Sequence, residues 1–173
     1  TYLDYVGGWN CPDSYYTANQ GVYFCKDMVV TDVVGHEYAH GVNWWHLVYS
    51  GQSGALEENH SDLIGEMFEY WRTGTNDWLF EADTPFGALR SLIDPPSLIS
   101  WVTNGPFPDR FTSANLYCGS DDNSGLHHNS TVPSKAHYLA SMGGNFNGCT
   151  IAAIGRAAVE QVLYRCKTVY YTS

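Results

Sequence analysis

The chain has 173 residues, of which 44% are hydrophobic and 15% aromatic, so it can bury the core of a single folded domain and is not expected to be disordered. Eight Lys and Arg stand against 18 Asp and Glu, and the formal net charge of -10 would repel nucleic acid phosphates and anionic membrane surfaces. No apolar run reaches the roughly 20 residues of a membrane helix, so we expect neither nucleic acid binding nor membrane insertion, and cations are the expected ionic partners.

The first half of the chain predicts short strands followed by two helices. Residues 1–30 are rich in Tyr, Val and Gly, which favours short strands around a turn. From Thr31 or Asp32 to about Val48 no turn signal interrupts the chain, and apolar and histidine residues recur at steps of three and four, as in a helix. A break at 50–54 precedes a second helix, predicted from Ala55 to about Trp71.

The second half is predicted to be a long loop region followed by two more helices. Residues 73–125 are dense in Gly, Pro, Asp and Asn, which predicts loops with one helical turn near Phe86 to Leu92. Helices are predicted from about Ser130 to Met142 and from about Thr150 to Tyr164. No repeat or linker divides the chain. The sequence therefore predicts one α+β, mainly helical domain with short N-terminal strands.

Five cysteines without CxxC spacing argue against a structural zinc finger and favour disulfide bonds. Cys11 with Cys25 could close a hairpin, and Cys149 with Cys166 could tie a helix to its neighbour. Cys118 would then be unpaired or bonded outside this chain. Because disulfides persist in oxidising compartments, we expect a secreted or extracellular protein. The start of the chain lacks the pattern of a signal peptide, which is what we expect of a mature product or of a fragment.

Residues 36–40 read HEYAH, which is the HExxH pattern. On a helix, this spacing puts the imidazoles of His36 and His40 one turn apart on one face, as two ligands of a tetrahedral metal require. Glu37 then projects beside the metal. The pattern is short enough to occur by chance, but its position on a predicted helix of an acidic chain favours a metal site.

Hydrolytic zinc needs a third protein ligand and an open position for water. Glu58 lies on the second predicted helix with Asp62 four residues on, so a ligand and a carboxylate that accepts a histidine N–H would share a face. His46 stands where metzincin peptidases place a third histidine, although Asn43 replaces the glycine at which their helix breaks. Spacing alone leaves both candidates open.

The second helix resembles the thermolysin-like family of zinc metallopeptidases. Residues 54–62, GALEENHSD, are similar to that family's GALNEAxSD segment at its usual distance after HExxH. By this resemblance Glu58 is the third zinc ligand, and Asp62 is the partner of a zinc-bound histidine. Tyr49, nine residues before Glu58, matches the family tyrosine that donates to the substrate oxyanion.

Two later segments extend the resemblance in the same order. Arg90, in the run LRSLIDP, looks like the family arginine that hydrogen-bonds a substrate carbonyl. Residues 122–130, DNSGLHHNS, are similar to the family's DNGGVHxNSG segment. The resemblance makes His127 the second oxyanion donor and Asp122 its orienting partner.

The resemblance implies a zincin-like core and a zinc-dependent endopeptidase that acts on proteins or peptides. Glu37 would activate the zinc-bound water, and Val33 and Leu89 would wall an apolar pocket, so that cleavage is expected before hydrophobic residues. The family also binds calcium close to the site, and four acidic residues fall on matching positions: Asp32, Glu69, Asp77 and Glu81.

Two departures from the family pattern limit what the resemblance implies. Residues 13–16, DSYY, have an acid where the family's substrate-binding Asn-Ala-aromatic segment has an amide. The family's catalytic domain is also longer, so residues 1–173 are interpreted as a partial core. Residues 1–30 would be the remnant of a β-rich N-terminal lobe and 31–173 the zinc-binding, mainly helical part, with the rest of a parent chain or a propeptide as partner.

Two alternatives to this reading remain. The chain could be a catalytically silent structural module that keeps the zinc. It could instead be a metzincin that uses His46, with residues 141–143 as the Met-containing turn.

Overall fold

The computed structural model describes residues 2–3, 11–18, 21–43 and 47–171. The described chain is mainly helical with short strands, as the sequence predicts. The α-helices are α1 (Thr31–Asn43), α2 (Gly51–Thr73), α3 (Asp121–Asn129), α4 (Thr131–Met142) and α5 (Arg156–Arg165), followed by a π-helical turn, Cys166–Tyr170; a 3-10 turn spans Pro95–Ser97. The strands are β1 (Tyr2–Leu3), β2 (Ser14–Thr17), β3 (Gly21–Phe24), β4 (Leu79–Phe80), β5 (Arg90–Ser91), β6 (Gly144–Phe146) and β7 (Cys149–Ile151).

The predicted N-terminal strands form a three-stranded sheet in the order β1-β3-β2. β1 runs parallel to β3 and β2 runs antiparallel to it. The predicted disulfide between Cys11 and Cys25 is present, and it joins the segment before β2 to the end of β3. Strand β2 therefore enters the sheet from a covalently fixed point.

Helices α1 and α2 cross closely because both carry glycine at the crossing. A Cβ at Gly65 would overlap the carbonyl oxygen of Asp32, and a Cβ at Gly35 would lie 2.9 Å from the Cα of Gly65. Two hydrophobic clusters flank the helix pair. One includes Phe24, Met28, Val33 and Phe80 beneath the sheet; the other includes Leu63, Met67, Trp78, Leu92 and Leu163.

The boundary between the first two helices differs from the prediction. α1 extends to Asn43 and does not run to Val48, because residues 47–50 turn and Ser50 N–H donates to the Val48 carbonyl at 2.8 Å. α2 begins at Gly51 instead of Ala55, with Ser50 at the N-cap position. The Gly and Ser residues that suggest a break are accommodated in the first turn of the helix, where Gly54 packs closely on Leu126.

The predictions for the later segments need three corrections. Residues 86–92 are not helical, since Arg90–Ser91 forms β5 and pairs with β4. α5 begins at Arg156 and not at Thr150, because Cys149–Ile151 pairs with β6 in a hairpin. Residues 121–125, predicted as loop, open α3 with a left-handed turn in which φ is 54° at Asp122 and 78° at Gly125.

The second predicted disulfide is wrong. Cys149 and Cys166 are both free, and so is Cys118. Cys149 is exposed on the β6–β7 hairpin, whereas Cys166 follows the last turn of α5. The two cysteines thus lie on separate elements.

Among the described residues, no helix combines the length and the apolar character that crossing a membrane requires.

Candidate active site

Helices α1 and α2 bring His36, His40 and Glu58 together. One donor atom of each lies within 4.8 Å of the other two. The Nε2 atoms of the histidines are 2.9 Å apart, and the Glu58 carboxylate lies 3.3 Å from His40 Nε2 and 3.6 Å from His36 Nε2. The helical repeat explains the geometry, because residues four apart project from the same face of α1 toward α2.

The chemistry of these three side chains fits a zinc ion. Two imidazole nitrogens and one carboxylate form a donor set that catalytic zinc sites use. Glu58 is fully buried, and its Oε2 atom has no hydrogen-bond partner among the described residues. Burial alone would raise the pKa of Glu58, but the charges of His127 and His40 hold it well below its usual range. A fully buried carboxylate with an oxygen that lacks a partner among the described residues suits a cation at the point where the donors meet.

A buried ion pair supports the first histidine from behind. Asp62 Oδ1 lies 2.9 Å from His36 Nδ1. Arg90 donates to both oxygens of Asp62, from Nε at 2.7 Å and from Nη2 at 2.6 Å. Burial would raise the pKa of Asp62, yet Arg90 keeps it below its usual value. Asp62 therefore stays an acceptor for the His36 ring.

Glu37 lies one residue beyond His36 on α1 and faces the cleft. Its side chain is buried, and Oε1 accepts a hydrogen bond of 2.7 Å from the Ser14 hydroxyl on β2. Its Oε2 has no hydrogen-bond partner among the described residues. The sequence offers no local signal for this contact, because Ser14 and Glu37 are 23 residues apart.

Tyr49 and His127 meet beside Glu58. The Tyr49 hydroxyl contacts Glu58 Oε1 and lies 3.4 Å from His127 Nε2. Burial and the Glu58 charge raise the pKa of Tyr49, so its hydroxyl remains a donor. Asp122 Oδ1 lies 2.5 Å from His127 Nδ1, and Asp122 Oδ2 accepts the His127 backbone N–H at 2.9 Å. The left-handed turn at 122–125 folds Asp122 back onto the histidine.

These residues open into a cleft of about 800 Å³. Leu89, one of the two predicted pocket residues, lines it together with Phe86 and Trp101. Val33, the other, is fully buried in the core cluster that includes Phe80. His46 lies outside the described residues, so the alternative third ligand stays a prediction.

The predicted calcium acids are only partly brought together. Glu69 and Asp77 group with Glu66, and the three offer carboxylate oxygens within 4.8 Å of one another. Asp32 instead accepts the backbone N–H groups of Val33 at 2.8 Å and Glu81 at 2.5 Å. The side chain of Glu81 lines the cleft.

Glu66 is the member of this cluster that the sequence analysis missed. It is fully buried; Oε2 accepts from Asn76 Nδ2 and from the Trp78 N–H, while Oε1 has no partner among the described residues. Burial, together with the charges of Asp32 and Asp77, raises its pKa well above the usual value. The acidic pair at i and i+3 on α2, Glu66 and Glu69, is the signal that could have identified it.

Comparison with known families places these features in context. The family model described as the thermolysin metallopeptidase, alpha-helical domain, matches residues 46–173. The chain belongs to the thermolysin metallopeptidase family. Within this family, bacillolysin of Bacillus cereus is 36% identical over 171 residues, which cover 95% of this chain and 29% of bacillolysin. Thermolysin of Alicyclobacillus acidocaldarius subsp. acidocaldarius is 35% identical over 171 residues, 95% of this chain and 30% of its own length.

A solved structure shares the thermolysin-family fold of this chain. The precursor of protealysin, a metalloproteinase from Serratia proteamaculans, aligns with a TM-score of 0.63 and 27% identity over 75% of this chain and 46% of its own. The chain spans less than a third of the length of bacillolysin and of thermolysin. It is therefore similar to one region of each of those proteins.

Proposed function

We propose that this chain is the catalytic core of a zinc-dependent endopeptidase, with His36, His40 and Glu58 as the zinc ligands. The observation that carries the proposal is the convergence of these three donors in a cleft beside Glu37, a buried acid with one uncommitted oxygen. Asp62 is proposed to orient the His36 ring, since histidine ligands of zinc usually donate their other nitrogen to a carboxylate or carbonyl.

Zinc at this position would polarise a substrate carbonyl and lower the pKa of a water molecule toward neutrality. Glu37 is the proposed general base. Its Oε2 takes a proton from the attacking water, and the same carboxyl group later gives that proton to the leaving amine. The carboxylate is suited to both steps because it is buried and borders the cleft.

Tyr49 and His127 are proposed to donate hydrogen bonds to the oxyanion that develops during attack. Each such donor can contribute about 3 kcal/mol in the transition state. Asp122 orients His127 by accepting from its Nδ1. Arg90 uses Nε and Nη2 for Asp62, and we propose that its Nη1 donates to a substrate carbonyl.

The proposed substrates are proteins or peptides cut before hydrophobic residues. Leu89 and Phe86 give the cleft an apolar wall. Val33 would support that wall from the core and not touch the substrate directly, because it is fully buried.

We propose calcium as a second ion, bound by the carboxylates of Glu66, Glu69 and Asp77. Carboxylate oxygens are the ligands that calcium prefers, and the buried Oε1 of Glu66 lacks a partner among the described residues. In this proposal Asp32 lies near the ion without binding it, since its charge acts on Glu66 and Glu69 and its oxygens accept backbone N–H groups. Glu81 lines the catalytic cleft instead.

We also propose that residues 1–173 are part of a longer catalytic domain that acts outside the cell. Residues 1–30 would be the remnant of its β-rich lobe and 31–173 its zinc-binding part. The similarity to the precursor of protealysin supports a parent protein that carries a propeptide.

The test compares three variants with the parent for bound zinc and for hydrolysis of a peptide substrate. Glu37→Gln should retain zinc and lose about 10²- to 10⁴-fold in turnover, because the base is removed and all ligands remain. Glu58→Ala should lose zinc on dialysis against a weak chelator, because one of three ligands is gone. His46→Ala should keep the metal.

Each alternative has its own outcome. Zinc retained in Glu58→Ala but lost in His46→Ala would identify a metzincin and overturn the proposed ligand set. A parent that binds zinc but hydrolyses no faster than Glu37→Gln would indicate a structural module.

A further inference from the structure

Strand β2 runs along helix α1 with matched spacing. Ser14 and Tyr16 point from the same face of β2, about 6.7 Å apart, while Glu37 and Gly41 are separated by about 6 Å along α1. The Ser14 hydroxyl donates to Glu37 Oε1 at 2.7 Å, and a Cβ at Gly41 would lie 2.9 Å from the ring of Tyr16. Two consecutive contacts therefore hold the strand in one register on the helix.

The backbone that carries Ser14 is fixed by several independent bonds. Cys11 and Cys25 form a disulfide, and the Cys25 N–H donates to the Asp13 carbonyl at 2.9 Å. The Ser14 N–H donates to Asp13 Oδ1 at 2.8 Å, and Ser14 pairs with Phe24 in the sheet. The backbone position of Ser14 is thus set by the sheet and the disulfide.

This fixed donor distinguishes the two oxygens of Glu37. The terminal torsion of a glutamate is broad and roughly two-fold, so an unrestrained carboxylate presents its oxygens in many orientations. Here Oε1 is bonded to Ser14, and Oε2 has no partner among the described residues. Ser14 and Glu37 both line the cleft, so the uncommitted oxygen belongs to a carboxylate whose orientation is set.

We propose that Ser14 is a positioning residue that binds one oxygen of Glu37 and thereby leaves the other aligned for proton transfer. The inference rests on the proposed function of Glu37 as general base. Misplacing a reacting group by about 1 Å can cost on the order of 100-fold in rate, so a hydroxyl that binds the base can affect turnover by way of that base.

The test uses the zinc-loaded protein and compares Ser14→Ala with Ser14→Thr and with Thr17→Val. Thr17 lies on the same strand and outside the cleft, and its hydroxyl faces the Gly21 carbonyl at 3.4 Å, so it is the matched control. Ser14→Ala should lower kcat about tenfold or more with little change in KM, bound zinc or melting midpoint. Ser14→Thr should recover most of the loss, and Thr17→Val should match the parent.

Several results would overturn the role of Ser14. They are a normal kcat in Ser14→Ala, a loss confined to KM, a Ser14→Thr variant no faster than Ser14→Ala, or a Ser14→Ala variant that unfolds or loses zinc. An equal loss in Thr17→Val would attribute the effect to the strand as a whole.

A double-mutant cycle separates this inference from the function on which it rests. If Ser14 acts only through Glu37, then Ser14→Ala should have no further effect on turnover when Glu37 is already Gln. A further loss of the original size would contradict the inference. A parent no faster than Glu37→Gln overturns both proposals, whereas an active parent with an equally active Ser14→Ala overturns only the positioning role.

Discussion

Tyr49 and His127 approach the proposed reaction centre from separate parts of the chain. Tyr49 precedes α2, and His127 follows the left-handed turn of α3. Their polar atoms are 3.4 Å apart, so both can reach one oxygen. Asp122 Oδ1 lies 2.5 Å from His127 Nδ1, whereas the Tyr49 hydroxyl itself contacts the Glu58 carboxylate.

Tyr49→Phe tests the oxyanion role at the level of one atom. We expect kcat to fall about 10²- to 10³-fold because the variant loses the proposed transition-state donor while the ring remains. KM and bound zinc should change little. Tyr70→Phe, which removes a hydroxyl from the exposed end of α2, is the control, and unchanged kcat in Tyr49→Phe would exclude the proposed donor.

Local sequence patterns predict the placement of some site residues and not of others. His36, His40 and Glu37 lie within one helical turn, so their relative placement follows from helical periodicity. Ser14 carries no such local signal for its role, and the spacing of Glu66 and Glu69 on α2 does not reveal that Glu66 is buried. The partner of Ser14 comes from α1, and the environment of Glu66 comes from the segment that holds Asn76 and Trp78.

At the level of elements, the crossing of α1 and α2 depends on the absence of a side chain at Gly65. We expect Gly65→Ala to lower the free energy of unfolding by about 1–3 kcal/mol, because its Cβ would overlap the Asp32 carbonyl. The same displacement should move His36 and His40 from Glu58 and make zinc dissociate faster. Denaturant unfolding and chelator competition would measure the two effects.

Gly105→Ala provides the matched control for this crossing. A Cβ at Gly105 would lie 3.6 Å from Thr103 Oγ1, which is an ordinary contact, so this variant adds the same methyl group without a clash. Equal stability and zinc retention in both glycine variants would show that the crossing tolerates a side chain.

The Cys11–Cys25 bond should stabilise the sheet that carries Ser14. It closes a loop with a sequence separation of 14, for which the entropy of the unfolded chain predicts about 3 kcal/mol. Cys11→Ser changes an exposed residue, and we expect a lower melting midpoint. Cys118→Ser, at an exposed free cysteine, should leave the midpoint unchanged. If both variants melt with the parent, the disulfide contributes nothing to stability.

For the whole molecule, the net charge of -10 includes the acidic cluster of Glu66, Glu69 and Asp77. Burial and the neighbouring charges of Asp77 and Asp32 raise the pKa of Glu69 from 4.5 to about 7. Glu66, on the same helix, is shifted in the same direction by burial. Between about pH 4.5 and about pH 7, the folded protein therefore keeps a proton on Glu69 that the unfolded chain has already released.

This shift predicts that Glu69 contributes less to the stability of the calcium-free protein as pH rises from about 4.5 to about 7, because the unfolded state gains by ionising Glu69 before the folded state does. Below this window both states are protonated, and above it both are ionised with repulsion remaining. With zinc saturating, millimolar calcium should raise the melting midpoint, most at pH 7.5. Thermal melts at pH 5 and pH 7.5 would measure this.

A variant pair shows whether the cluster causes the effect. Glu69→Gln should remove this contribution, so that its melting midpoint differs from that of the parent by different amounts at pH 5 and pH 7.5, while Glu160→Gln, on the exposed side of α5, should follow the parent at both pH values. A midpoint that does not respond to calcium at either pH would show that these acids do not form a calcium site.

The sequence alone determined the properties that depend on local periodicity and composition. It predicted the mainly helical fold, the N-terminal strands and the Cys11–Cys25 bond, all of which the structure contains. It also grouped His36 with His40, because residues four apart on a helix share a face.

Only the tertiary structure decided the contacts between segments distant in sequence. Packing ended α1 before Val48, turned residues 149–151 into a strand, and separated Cys149 from Cys166. It also placed Ser14 on Glu37 and buried Glu66 among acids. These outcomes depend on which surfaces meet in the folded chain, and the free energy of such long-range packing overrides local preferences that differ by only a few tenths of a kcal/mol to about 1 kcal/mol per residue.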